Sequence, residues 1–179
     1  MSTRIYYLIG MMGVGKSSIG LGAASRLSIP FIDLDDRIRK GENKSISEIF
    51  KIYGEDGFRN LEKNYLHSID FAGNNHAVVS TGGGTPAFFD NMEYMNKNGK
   101  TIWLETPFDI IIDRLKDMRD DRPLLTSMSD QQVALHFSQL FKNRLPFYQK
   151  AHYRLENIGY DDEIIAKLVK IIQDDQINN

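Results

Sequence analysis

Apolar positions along the chain fall into two spacings that take turns from one end to the other. Short unbroken runs rich in β-branched and aromatic residues occur at 4–9 (Arg-Ile-Tyr-Tyr-Leu-Ile), 29–33, 77–80 and 101–105, with a more polar one at 153–156. Runs of this length and type predict buried strands. Between them the apolar residues recur every three or four positions. Ile19, Ala23 and Leu27 mark a helix over 17–27, and Phe58, Leu61, Tyr65, Leu66 and Ile69 mark another over 55–69. Shorter helical patterns cover 35–39, 45–53 and 90–97; longer ones cover 130–148 and 162–172, and 173–179 reads as a frayed end. Thr106 and Pro107 supply an N-cap and a first-turn proline for a helix reaching 116. Strand and helix in steady alternation predict an α/β fold: a parallel sheet with helices on both faces.

The alternation stops between 117 and 130, where Asp-Met-Arg-Asp-Asp-Arg is followed by Pro-Leu-Leu-Thr-Ser. A long polar segment without periodicity inside a compact chain is expected to be a lid, here 117–127.

Composition narrows the class. At 179 residues, 41% hydrophobic and 26% charged, the whole of 1–179 is expected to form one domain. A formal charge of −2 offers no electrostatic case for nucleic acid or an anionic membrane. With no cysteine there can be no disulfide, thiolate metal site or cysteine nucleophile. No stretch approaches the ~20 apolar residues of a membrane span, and no leader pattern opens the chain. The expected setting is cytoplasmic.

The strongest local signal is Gly10-Met11-Met12-Gly13-Val14-Gly15-Lys16-Ser17, between the first strand and the first helix. It matches G-x-x-x-x-G-K-[ST], the loop whose backbone amides surround nucleotide phosphates. Glycines let the backbone approach an anion, and the following helix aims its amides at the same point. Lys16 supplies a mobile charge for the β- and γ-phosphates, and the Ser17 hydroxyl is a direct ligand for Mg²⁺. Gly13, Val14, Gly15 and Ser18 complete the expected nucleotide contacts.

Other candidates are weaker one by one. Asp33-Leu34-Asp35 ends the second strand, on the sheet edge where open α/β folds bind ligands. Alternation along an extended segment would put both carboxylates on one side, one for a Mg²⁺-bound water and one for a substrate hydroxyl; capping of the next helix by Asp35 and Asp36 is the plainer reading. Arg59 and Glu62 stand at i and i+3, which suits a surface ion pair, or a guanidinium held to grip a carboxylate. Gly82-Gly83-Gly84 follows a buried strand and allows close approach of a small polar molecule. Arg122 lies in the lid segment and could close over a transferring phosphoryl group. Arg144 ends a long helix, where a cation also suits the dipole. The four histidines have no metal-ligand spacing.

In combination and order, these motifs resemble the shikimate kinase family of small P-loop kinases. The phosphate loop, Asp33-x-Asp35, Phe58-Arg59-x-x-Glu62, Gly82-Gly83-Gly84, Arg122-Pro123-Leu124-Leu125 and Arg144-x-x-x-Tyr148 all have counterparts there, across 5–158. The resemblance implies a P-loop NTPase-type three-layer α/β/α sandwich whose five-stranded parallel sheet has the order 2-3-1-4-5. It implies ATP as co-substrate, Mg²⁺ as cofactor, and phosphorylation of the 3-hydroxyl of shikimate by a monomer. Asp35, Arg59, Gly82, Gly83, Gly84 and Arg144 would bind shikimate, in an acceptor segment spanning 33–62. Asp35 would be the base, and Lys16 and Arg122 would neutralise transferring charge. Arg114 would stack on adenine, Ser17 would bind Mg²⁺ and Asp33 would do so through water. The chain departs from the family at Ala151-His152, where Ala-Asp is frequent, and only loosely matches the adenine loop around Asn157. The remaining alternatives are another metabolite or nucleotide kinase with the same loop, such as a gluconate-kinase relative, or a nucleotide-binding switch lacking Asn-Lys-x-Asp.

Overall fold

The computed structural model describes residues 4–70, 76–117 and 129–177. Five parallel strands form one sheet: β1 (Arg4–Ile9), β2 (Phe31–Asp33), β3 (His76–Ser80), β4 (Gly99–Glu105) and β5 (Tyr153–Glu156), in the order β2-β3-β1-β4-β5. The central strand β1 is flanked by β3 and β4, with Tyr6 opposite Val78 and Leu8 opposite Ile102. Tyr6, Tyr7, Leu8 and Ile9 are all fully buried, which is why this strand reads as an unbroken apolar run and not as an alternation.

Helices cover both faces. α1 (Lys16–Leu27) packs on β1, β2 and β3 and against α7 (Asp161–Ile177). α2 (Leu34–Glu42) leans on α3 (Ile46–His67), and α4 (Asn91–Asn98) lies on β1 and β4. α5 (Phe108–Asp117) packs against α6 (Asp130–Tyr148). Local chemistry sets several of the starts. Ser45 with Glu48, and Ser129 with Gln132, form capping boxes that satisfy the first amides of α3 and α6.

Three sequence expectations change. α3 joins the two helices expected at 45–53 and 55–69, but Gly54, at φ 68 and ψ −173, breaks the helical path between them. The terminal helix continues to Ile177 in place of fraying from 173. The reason is Asp175, which is 3% exposed. It accepts hydrogen bonds from Arg4 (2.8 Å), Tyr6 (3.1 Å) and Tyr153 (2.6 Å), so the last turn is fastened to β1 and β5. Finally, Asp33 and Asp35 are not alternating residues of one strand. Asp33 ends β2 and caps α2 by accepting from the Asp36 amide at 3.1 Å, while Asp35 lies in the first turn of α2. Of the expected lid at 117–127, Asp117 is the last residue of α5, and the rest, with Arg122, lies outside the described residues.

Candidate active site

The phosphate loop leaves β1 through Gly10, Gly13 and Gly15, with φ of 138, 78 and 87, conformations that side chains rarely tolerate. Gly15 is the N-cap of α1, so the helix's unpaired amides face the loop interior. Lys16 is 7% exposed and folds back over the loop, donating to the carbonyls of Met11 (2.7 Å) and Gly10 (3.0 Å). Ser17 Oγ donates to the Asp33 carboxylate and lies 3.4 Å from Ser80 Oγ. This gathers hydroxyl and carboxylate oxygens at the C-terminal ends of β2 and β3, a donor set suited to a hard cation such as Mg²⁺. Among the described residues no three His, Cys, Asp or Glu side chains cluster as a metal cage. Mg²⁺ does not require one, since it keeps several waters and shares substrate phosphates.

The second half of the site is assembled from α2, α3, α6 and the turn after β3. Arg59 and Glu62 are buried, not on the surface: Glu62 is wholly inaccessible and Arg59 is 8% exposed. A buried carboxylate needs partners on both oxygens. Glu62 has them, accepting from Arg59 Nη1 at 2.9 Å and from Thr85 Oγ1 at 2.5 Å. The guanidinium lies over the Phe88 ring, 4.1 Å from its centroid, and also contacts Phe58. Glu62 and the rings fix the plane of the fork, while Arg59 Nε has no partner among the described residues.

Asp35 is half-buried. Burial is the main cause that raises its pKa, to about 6, and the neighbouring carboxylates of Asp33 and Glu62 add to it against Lys16 and Arg39.

The three glycines occupy the junction. A methyl group at Gly82 would stand 2.6 Å from Glu62 Oε1 and 3.3 Å from Asp35 Oδ1. At Gly83 it would meet the Met12 amide nitrogen at 2.9 Å and Arg144 Nη1 at 3.4 Å. At Gly84 it would meet the Arg59 guanidinium at 2.8 Å. Neither Gly82, Gly83 nor Gly84 has a positive φ, so close approach is what demands glycine here. Arg144, 7% exposed, reaches the same junction and touches Met11 Sδ at 3.9 Å. Tyr148, one helical turn on, donates to the Gly83 carbonyl at 2.6 Å and stacks on Trp103.

Thus Lys16, Ser17, Asp33, Asp35, Arg59, Gly82, Gly83, Gly84 and Arg144 converge at the C-terminal edge of the sheet. Arg114, on α5, lies beside the phosphate loop and donates to the Val14 carbonyl at 3.3 Å. Arg122 lies outside the described residues. Spacing alone did not reveal Thr85, Phe88 or the Tyr148 hydroxyl as supports. The i, i+4 relation of Arg144 and Tyr148 was the one local hint.

A phosphate loop ahead of a helix on a 2-3-1-4-5 parallel sheet, facing an arginine–carboxylate cluster, defines a P-loop small-molecule kinase. The shikimate kinase family model matches residues 12–173, and the chain belongs to that family. It is 44% identical over 161 residues to a shikimate kinase of Phocaeicola vulgatus, covering 90% of each chain. It is 42% identical over 147 residues to that of Bacteroides thetaiotaomicron, covering 82% of this chain and 83% of the relative. The solved structure of a Bacteroides thetaiotaomicron shikimate kinase superposes with a TM-score of 0.88 at 36% identity, covering 95% of this chain and 98% of that one. The Acinetobacter baumannii shikimate kinase in complex with shikimate gives 0.82 at 30% identity, covering 97% and 94%.

Proposed function

We propose that the protein transfers the γ-phosphoryl group of ATP to the 3-hydroxyl of shikimate, a step toward chorismate and the aromatic amino acids. The observation that carries this reading is the junction at Gly82–Gly84. There a phosphate loop and a buried arginine–carboxylate pair stand within contact of one tripeptide. A triphosphate on one side and a small carboxylated polyol on the other would meet across it.

The chain's own groups suit the chemistry. Phosphoryl transfer asks for alignment and charge neutralisation more than covalent work. Arg59 and Arg144 pair with the acceptor carboxylate, and Arg59 is held in plane for bidentate contact. Asp35 accepts from the ring hydroxyls and takes the proton of the attacking one, a task helped by a pKa nearer to neutral than an ordinary carboxylate's. Lys16 leaves the Met11 and Gly10 carbonyls to follow the transferring phosphoryl group. Gly13, Val14, Gly15 and Ser18 surround the phosphates, Arg114 stacks on adenine, and Arg122 shares with Lys16 the charge of the transferring phosphoryl group. Ser17 would hold Mg²⁺ directly and Asp33 through water; when bound, the ion would neutralise charge on the nucleotide phosphates.

The same reading takes 1–179 as one kinase domain acting as a cytoplasmic monomer on small molecules, with no nucleic-acid or membrane partner. No helix among the described residues is long and apolar enough to cross a membrane. The test is coupled ADP release with shikimate, gluconate and nucleoside monophosphates as acceptors. Turnover with shikimate alone is expected, and no shikimate-dependent ADP release would overturn the proposal.

A further inference from the structure

Asn157 follows β5 and is 2% exposed. Its amide nitrogen, Nδ2, lies 2.7 Å from the Val14 carbonyl and 2.8 Å from Thr106 Oγ1, and its backbone N–H donates to the Glu105 carbonyl at 2.7 Å. Val14 belongs to the phosphate loop, 143 positions away. Its carbonyl can only accept, so the nitrogen of the Asn157 amide must face it.

A trans peptide is planar, and its C=O and N–H point in opposite directions. A donor that holds the Val14 oxygen toward the ends of β4 and β5 therefore turns the Gly15 N–H the other way, into the phosphate cradle. The peptide needs such a hold. Gly15 sits at φ 87, and a glycine lets the preceding peptide rotate at little steric cost. Arg114 also reaches the Val14 oxygen, at 3.3 Å, but from a long side chain and at a greater distance. The short, buried Asn157 is the firmer holder.

We propose that Asn157 is a positioning residue for ATP, fixing the Val14–Gly15 peptide so that its N–H is aimed at phosphate before the nucleotide arrives. Preorganising a donor in this way spares the binding step its ordering cost. The inference rests on the nucleotide half of the proposed function and not on the identity of the acceptor.

Two variants test it. Asn157→Leu removes the donor at similar size, and Asn157→Asp faces the Val14 carbonyl with an acceptor. Calorimetry with ADP and Mg²⁺ should show about tenfold weaker binding for Asn157→Leu and a larger loss for Asn157→Asp. Shikimate affinity measured without nucleotide should stay within about twofold of the parent, since its contacts are distant. Unchanged ADP affinity in both variants would overturn the proposal. So would parallel loss of ADP and shikimate affinity with a lowered melting temperature, or failure of both variants to fold, because each marks a merely structural residue. A parent chain that binds ADP but not shikimate would instead break the acceptor reading and leave this one standing.

Discussion

Asp35 is a residue of the site whose chemistry the environment changes. Burial and two neighbouring carboxylates raise its pKa from 3.8 to about 6. Between those values the folded chain holds a proton that the unfolded chain releases, so Asp35 makes stability fall as pH rises through this window. Activity should move the other way: kcat/KM for shikimate is expected to climb with pH with a midpoint near the Asp35 value of about 6. Asp35→Asn should abolish that limb and lower kcat by roughly 10²-fold, read from steady-state profiles of the two proteins. Arg59→Lys keeps the charge but loses the planar fork that Glu62 and Phe88 hold in place. It should weaken shikimate binding at least about tenfold while ADP binding stays unchanged, as calorimetry would register. The sequence made Arg59 and Glu62 resemble any surface pair because i, i+3 spacing carries no information about depth. What buries them comes from Thr85 and Phe88, more than twenty positions on, and no helical pattern announces those contacts.

Strands and helices were legible wherever one face had to be apolar. β1, β4 and α6 follow directly from run length and spacing, whereas the caps at Ser45 and Ser129 came to light only in the structure. Relations between neighbouring residues at an element boundary were harder to read. Asp33 and Asp35 look like strand partners until the chain turns between them into α2, which leaves one as a cap and the other in the first turn of the helix. α3 carries its own boundary at Gly54, in a region of φ and ψ that is almost closed to other residues. An added methyl there would meet nothing within 4 Å, so the cost of Gly54→Ala is backbone strain alone. We expect a loss of about 1–3 kcal/mol in denaturant unfolding, with the slope of the transition unchanged. A neutral result would show that the break is incidental.

Across the whole molecule, alternating strand and helix foretold a parallel sheet, and the family resemblance supplied its strand order. Nothing local foretold how the far edge is closed. There Arg4, Tyr6 and Tyr153 all donate to Asp175, and periodicity cannot report a bond between positions 171 residues apart. Burial by itself would raise the Asp175 pKa, but hydrogen bonds from Tyr153, Arg4 and Tyr6 outweigh it and hold the carboxyl below its ordinary value of 3.8. The stability it contributes is thus fully present above that ordinary value and is lost as pH falls through the lower folded one. Asp175→Ala should cost about 3 kcal/mol in chemical unfolding, because the buried carboxylate shared by three donors is removed, and should leave the KM for ATP unchanged at temperatures where the chain stays folded. The same contact sets an order on folding. β1 is completed by a helix residue 171 positions away, and contacts of such separation are slow to form. Arg4 and Tyr6 therefore stay without this carboxylate until α7 docks. The last approach to the native state is paced by that docking more than by any local segment.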